Sequence, residues 1–252
     1  MVNIILILIT GMCAGFMNTI GGGGSLLTIP MLIFLGLPSA VANGTNRIAL
    51  MVQNIVAVTN FKNKGFFNPK LSFILAIPAV LGSILGARFA ISLSEEVFQK
   101  ILAIVMIVVM ILIVTRPEKK FLKKAQENLS KSRLIVAVFA FFLVGFYGGF
   151  IQAGVGFIII VTLALITGMN LVKINSLKVF IVGIYMFSSL MVFILSGNID
   201  VSKGLILSVG NGLGAYIGSN FAVAKGDKWI RRILLLIILV MAGKLLGVHK
   251  LF

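Results

Sequence analysis

Residues 71–93 read LSFILAIPAVLGSILGARFAISL, a stretch with a single charge, Arg88. A helix crossing the ~30 Å hydrocarbon core of a bilayer needs roughly 20 apolar residues. Stretches of this kind recur at 2–20, 41–61, 97–115, 134–151, 174–195, 204–224 and 229–247, and two shorter apolar runs, 25–36 and 157–168, bring the segments to ten. With 60% hydrophobic residues, 11% charged residues and a mean hydropathy of +1.16, the chain has too little polar surface to cover a water-soluble core. The sequence therefore describes an all-α integral membrane protein of about 8–10 transmembrane segments, and its first partner is the lipid bilayer. The N-terminal stretch lacks the basic flank and small-residue cleavage site of a signal peptide, so the first helix is expected to stay in the mature protein.

A formal charge of +16 would suit a nucleic-acid binder, but the 22 Lys and Arg residues fall mostly in short loops between apolar runs. That distribution is the positive-inside pattern of a membrane protein, and no nucleic-acid partner is expected. The one cysteine, Cys13, precludes an intrachain disulfide and is read as a packing residue of the first helix.

Sliding the sequence against itself by 132 positions aligns its halves without a gap. Gly22 meets Gly154, Gly24 meets Gly156, Gly36 meets Gly168, Gly65 meets Gly197, Gly82 meets Gly214 and Gly86 meets Gly218. Chance predicts roughly one or two such coincidences. Asn43/Asn175, Phe61/Phe193, Phe89/Phe221 and Ala90/Ala222 lie on the same diagonal. The chain reads as a first membrane repeat over 1–115, a basic linker over 116–132 (RPEKKFLKKAQENLSKS) and a second membrane repeat over 133–252.

Loop charges orient the repeats. The linker, rich in lysine, is expected on the cytoplasmic side, as is loop 62–70 with Lys62, Lys64 and Lys70, whereas 94–100, with Glu95, Glu96 and Lys100, is expected outside. In the second half the pattern inverts: 196–203 carries only Asp200 and Lys203, and 225–232 carries Lys225, Lys228, Arg231 and Arg232. Equivalent loops facing opposite sides make an inverted-topology tandem repeat of helical bundles, the architecture of many secondary transporters.

Gly21–Gly24 interrupts the apolar pattern, and glycine within a helix costs about 1 kcal/mol relative to alanine. Unpaired backbone at membrane depth is tolerated only where protein buries it or a wet cavity borders it, so a broken or re-entrant helix marks a candidate site. Gly22, Gly23, Gly24 and Ser25 form the first break, and Gln152, Gly154 and Gly156 the second. Close helix packing is the competing account of clustered glycines, and it is preferred for Gly82/Gly86 and Gly210/Gly214/Gly218, which are spaced by four.

A polar cluster follows each break: Asn43, Thr45, Asn46 and Arg47 in the first half, Asn175, Ser176 and Lys178 in the second. All six acids, Glu95, Glu96, Glu118, Glu127, Asp200 and Asp227, fall in expected loops or the linker. Cations without a nearby acid suit an anionic substrate, with snorkelling to the interface as the alternative. Paired carboxylates, a metal-ligand cluster and a nucleophile–base pair are all missing from the apolar segments, so neither an enzyme nor a cofactor or metal is expected. The only histidine, His249, is the fourth residue from the end of the sequence, which leaves no intramembrane proton relay of the usual kind. A channel or uniporter, or a non-transporting membrane partner protein, would use the same architecture.

The stretches GGGGSLLTIPMLIFLGLPSAVANGTNRIAL (21–50), KINSLKVF (173–180), FILSGNID (193–200) and GAYIGSNFAVAKGDKWIRRIL (214–234) resemble the sulfite exporter family TauE/SafE. The second glycine box, AGVG, is shorter than the family's usual run. The resemblance implies export of a small anion, sulfite or an organosulfonate, across a prokaryotic inner membrane, and it leaves open whether the chain works as a homodimer. Arg47 and Lys178 are expected to supply charge, Asn43, Thr45, Asn46, Asn175 and Ser176 hydrogen bonds, and the glycines of both breaks backbone N–H groups.

Overall fold

A computed structural model describes the backbone of residues 2–66, 68–115 and 131–245. The linker, except its last two residues, and His249 lie outside the described residues, as do the side chains of Lys225, Lys228, Trp229, Arg231 and Arg232. The described residues form helices and contain no strand. In chain order they are α1 (Val2–Ile20), α2 (Ser25–Phe34), α3 (Ser39–Asn63), α4 (Pro69–Ser92), α5 (Glu95–Thr115), α6 (Lys131–Phe150), α7 (Val155–Thr167), α8 (Leu171–Leu195) and α9 (Val201–Leu245). Among the described residues four helices meet the length and composition needed to cross a membrane, within α1, α4, α6 and α8.

Helices α2 and α7, of 10 and 13 residues, reach only about 15 and 20 Å at 1.5 Å per residue. Neither can cross a ~30 Å core alone, so the glycine breaks lead into half-length helices. Two expected loops are helical instead. Glu95 and Glu96 form the first turn of α5, where acidic groups suit the helix dipole, and the connection shrinks to Leu93 and Ser94. Residues 225–232 continue α9: apart from Gly226 the segment holds no strong helix breaker, and charge alone does not end a helix. Cys13 lies on the exposed face of α1, not in its packed face.

Contacts fix helix directions. A Cβ added at Gly210 or Gly214 would lie 2.3 and 2.0 Å from the carbonyls of Leu8 and Met12, so α1 and α9 run parallel. A Cβ added at Gly82 or Gly86 would likewise lie 2.1 and 1.9 Å from the carbonyls of Phe142 and Phe146, so α4 and α6 are parallel as well. These are the close crossings that small residues spaced by four permit. Gly204 lies against Ile48 and Asn60 donates to Ser219, which makes α3 and α9 parallel. Phe73 meets Phe180 and Ser83 donates to the Tyr185 carbonyl, which does the same for α4 and α8. Helices α3 and α8 meet antiparallel, with Gly44 against Phe193, Arg47 against Ser189 and Asn54 against Gly183. Thus α1, α3 and α9 run one way, α4, α6 and α8 the other, and each opposes its equivalent in the other half. An inverted repeat requires that arrangement, and the observed directions are consistent with it.

Local signals recur with the same spacing. Gly36 and Gly168 turn the chain after the half-length helices at φ 88° and 64°, and Gly65 and Gly197 do so after α3 and α8 at φ 76° and 72°. Asn68 and Asp200 each accept the backbone N–H three residues on, capping α4 and α9.

Candidate functional site

Where α1 and α6 stop, their last carbonyls lose intrahelical partners and, at membrane depth, have no water to replace them. The polar clusters of the opposite halves fill that gap. Asn43 Nδ2 donates to the Phe150 carbonyl at 2.7 Å, and Arg47 donates to the carbonyls of Gly148 and Gly149 at 3.2 and 2.5 Å. Asn175 Nδ2 donates to the Ile20 carbonyl at 3.0 Å, and Lys178 Nζ donates to the carbonyls of Asn18 and Thr19 at 2.8 and 3.2 Å. Each asparagine also accepts from its own cation, Arg47 to Asn43 at 3.4 Å and Lys178 to Asn175 at 2.8 Å. A cation at a helix C-terminus is favoured by about 0.3–1 kcal/mol at exposed sites and up to ~2 kcal/mol when partly buried.

Both cations are sealed from the exterior: Arg47 is 0% exposed and Lys178 2%. Arg47 also donates to Ser189 Oγ at 2.8 Å and lies 4.6 Å from the centroid of the Phe193 ring, leaving its Nε without a partner. The three donors of Lys178 are all committed. Neither cation has an acidic partner: the ion pairs among the described residues are Lys100–Glu96 and Lys203–Asp200. Two basic side chains thus stand in the interior against helix C-termini and neutral groups, without a carboxylate. No cluster of potential metal ligands occurs among the described residues.

The breaks touch. Gly22 and Gly156 are so close that a Cβ on Gly22 would lie 2.4 Å from the Gly156 Cα. In the first break Gly22 and Gly23 adopt φ 101° and 104°, conformations that favour glycine, and the Gly24 N–H donates to Asn18 Oδ1 at 2.7 Å. Asn18 Nδ2 donates in turn to Gln53 Oε1 at 3.0 Å. Asn46 fastens α2 to α3: its Nδ2 donates to Ser25 Oγ at 3.2 Å and its Oδ1 accepts from Thr28 Oγ1 at 2.7 Å. In the second break the residue at positive φ beside Gly154 is Gln152, at 66°, the one non-glycine with this conformation among the described residues. Tyr185, on α8 and fully buried, donates to Gln152 Oε1 at 2.9 Å.

The expected residues separate into groups. Asn43 and Arg47 gather at the end of α6 and Asn175 and Lys178 at the end of α1; Gly22 and Gly156 meet at the crossing, with Gly23 against Phe157, while Gly24 faces Ala14 and Asn18 of its own half. Asn46 and Ser25 bind α2 to α3. Thr45 stands apart, accepting the Asp200 N–H at the turn into α9. Ser176 is buried with no partner for its hydroxyl. On α3, Gln53 accepts from Asn18 and Asn54 donates to the Leu50 carbonyl of its own helix.

Sequence reasoning missed Asn18, Tyr185 and Ser189. Tyr185 lies 132 positions after Gln53, and both reach a group at their own half's break, so the repeat diagonal held that signal. The diagonal itself shifts at the breaks: the carbonyls capped in the two halves are 130 residues apart, as are Ser25 and Val155 at the starts of α2 and α7. Gly22 therefore corresponds to Gln152 and Gly24 to Gly154. The spacing returns to 132 because α7 is three residues longer than α2 and the turn after it one shorter.

The family profile described as "Sulfite exporter TauE/SafE" matches residues 7–245. The chain is 29% identical over 238 residues to a "Probable membrane transporter protein" of Haemophilus influenzae, covering 93% of this chain and 91% of that one. It is 30% identical over 240 residues to the "Probable membrane transporter protein YfcA" of Escherichia coli K12, covering 93% and 86%. It is 27% identical over 234 residues to the "Probable membrane transporter protein ORF9" of a Sinorhizobium species, covering 93% and 88%. No solved structure matches the chain.

Proposed function

The chain belongs to the sulfite exporter TauE/SafE family, a family of membrane transporters, and on that footing we propose that it exports a small anion, sulfite or a small organosulfonate, by alternating access across a prokaryotic inner membrane. In this reading residues 1–115 and 133–252 are inverted repeats that rock about the crossing of the two breaks, and the linker 116–132 is cytoplasmic. The observation that carries it is the pair of interior cations, Arg47 and Lys178, with no acidic partner. A buried charge is costly unless neutralised, and helix dipoles amount to only about half a charge each. A bound anion completes the neutralisation. Lys178 has no spare donor and the unpartnered Nε of Arg47 is sealed in, so both act through their charge, and the backbone amides of the breaks are of the kind that bind anions at helix N-termini. An inside-negative potential favours anion export by about 2.3 kcal/mol per charge per 100 mV.

The test is transport by purified protein in proteoliposomes, with labelled sulfite, sulfate, methanesulfonate and taurine under imposed proton and sodium gradients. The expected result is saturable flux of sulfite or a sulfonate, competed by the other oxyanions. Large conductive currents without saturation would instead identify a channel, and no flux of any anion would overturn the reading.

A further inference from the structure

The two breaks differ in what they leave free. In the first, the Gly24 N–H is consumed by Asn18, whose amide is itself tied to Gln53, and of the amides of Gly22–Gly24 only the Gly23 N–H donates to no group among the described residues. In the second, the corresponding Gly154 N–H and its neighbour Ala153 N–H donate to no group among the described residues. Gln152 adds a side-chain donor in the same segment. With Oε1 accepting from Tyr185, its Nε2 makes no hydrogen bond, yet is not sealed in as the orphaned atoms of Arg47, Ser176 and Asn211 are, and the residue is 5% exposed. A glutamine at positive φ is disfavoured by roughly 1–2 kcal/mol relative to a right-handed conformation, and glycine serves at the equivalent place in the first break. Strain of this kind persists where a side chain is needed. Arg47, fully buried with an unpartnered Nε, caps the helix that leads into this same break.

We infer that the second break, Ile151–Gly154 at the head of α7, is the anion subsite, with Gln152 as the specificity-determining donor and Tyr185 as the residue that orients its amide, while in the first break Asn18 occupies the Gly24 amide and no side-chain donor stands in place of Gln152. This rests on the anion-transport reading above. A fixed Nε2, two backbone amides and a nearby guanidinium form an all-donor site, which selects a deprotonated oxyanion over a ligand that must itself donate. Tyr185 fits this position because Gly148 makes room for it: a Cβ there would lie 2.6 Å from the tyrosine hydroxyl.

Sulfite flux in proteoliposomes tests the assignment. Gln152→Gly keeps the backbone conformation and is expected to raise the KM for sulfite about tenfold, the equivalent of one hydrogen bond, with kcat retained. Tyr185→Phe, which keeps the buried ring, is expected to raise KM in the same direction without lowering kcat, whereas a merely structural role would reduce the amount of folded transporter and leave KM alone. An unchanged KM in folded Gln152→Gly would overturn the assignment; should that variant not fold, an unchanged KM in Tyr185→Phe does so. Absence of saturable anion flux in the wild type is a different failure, and it overturns the transport reading and this assignment together.

Discussion

Lys178 Nζ lies 2.8 Å from the carbonyl oxygen of Asn18, 160 residues away, and so ties α8 of the second half to the last turn of α1 in the first. Arg47 mirrors it by holding the last turn of α6 from α3. Each half thereby completes the broken helix of the other. These bonds satisfy carbonyls that lipid cannot, and they hold a basic side chain at the end of each broken helix.

Removing a cap should therefore cost stability as well as transport. Lys178→Met leaves two buried carbonyls and Asn175 Oδ1 without their donor, and hydrogen bonds to charged groups are each worth about 1.5–3 kcal/mol. We expect a loss on the order of 3 kcal/mol, read as a lowered Tm of the purified protein in detergent. Lys178→Arg, which keeps charge and donors, should recover most of that loss.

The glycines divide by what surrounds them. Gly22→Ala forces an unfavourable φ and drives a methyl to within 2.4 Å of the Gly156 backbone, so it should abolish folding or flux. Gly36→Ala has the same conformational problem at φ 88° but meets nothing within 4 Å. Its cost should stay near the ~1–2 kcal/mol of backbone strain alone. Thermal unfolding of the two variants side by side checks the contrast.

Asp200 provides a pH signature outside the membrane. Its hydrogen bonds from the Lys203 side chain and backbone hold its carboxyl below the ordinary value of 3.8. A depressed folded-state pKa contributes stability that is fully present above the unfolded value and is lost as pH falls through the folded one. Asp200→Ala should thus lower Tm by a constant amount from pH 7 to pH 5, and the difference should shrink only below about pH 4. The same α9 capping bond predicts faster amide exchange at Lys203 in the variant at neutral pH.

Much of this was legible in the sequence because a bilayer admits few solutions. Long apolar runs had to be helices, Gly21–Gly24 had to interrupt one, and Arg47 and Lys178 had to find partners inside the protein. The all-helical membrane fold and the half-length helices follow from those constraints. The partners of the cations were not legible: they are backbone carbonyls 101 to 160 residues away, and a carbonyl leaves no residue-type signature. The role of Gln152 was obscured for a different reason. An ungapped alignment sets Gly154 against Gly22, and the two-residue slip absorbed by α7 and the turn after it becomes visible only from the capped carbonyls. The charged segment 225–232 reads as a loop by topology and is helical because nothing in it but Gly226 opposes a helix.

Exchange of labelled sulfite against unlabelled sulfite in proteoliposomes, comparing wild type with Lys178→Gln and Lys178→Arg at matched amounts of monodisperse protein, probes the role of interior charge most directly. Saturable exchange that survives in Lys178→Arg and is lost in Lys178→Gln, which retains a donor but no charge, is the expected result. Equal exchange by folded Lys178→Gln and wild type would contradict it.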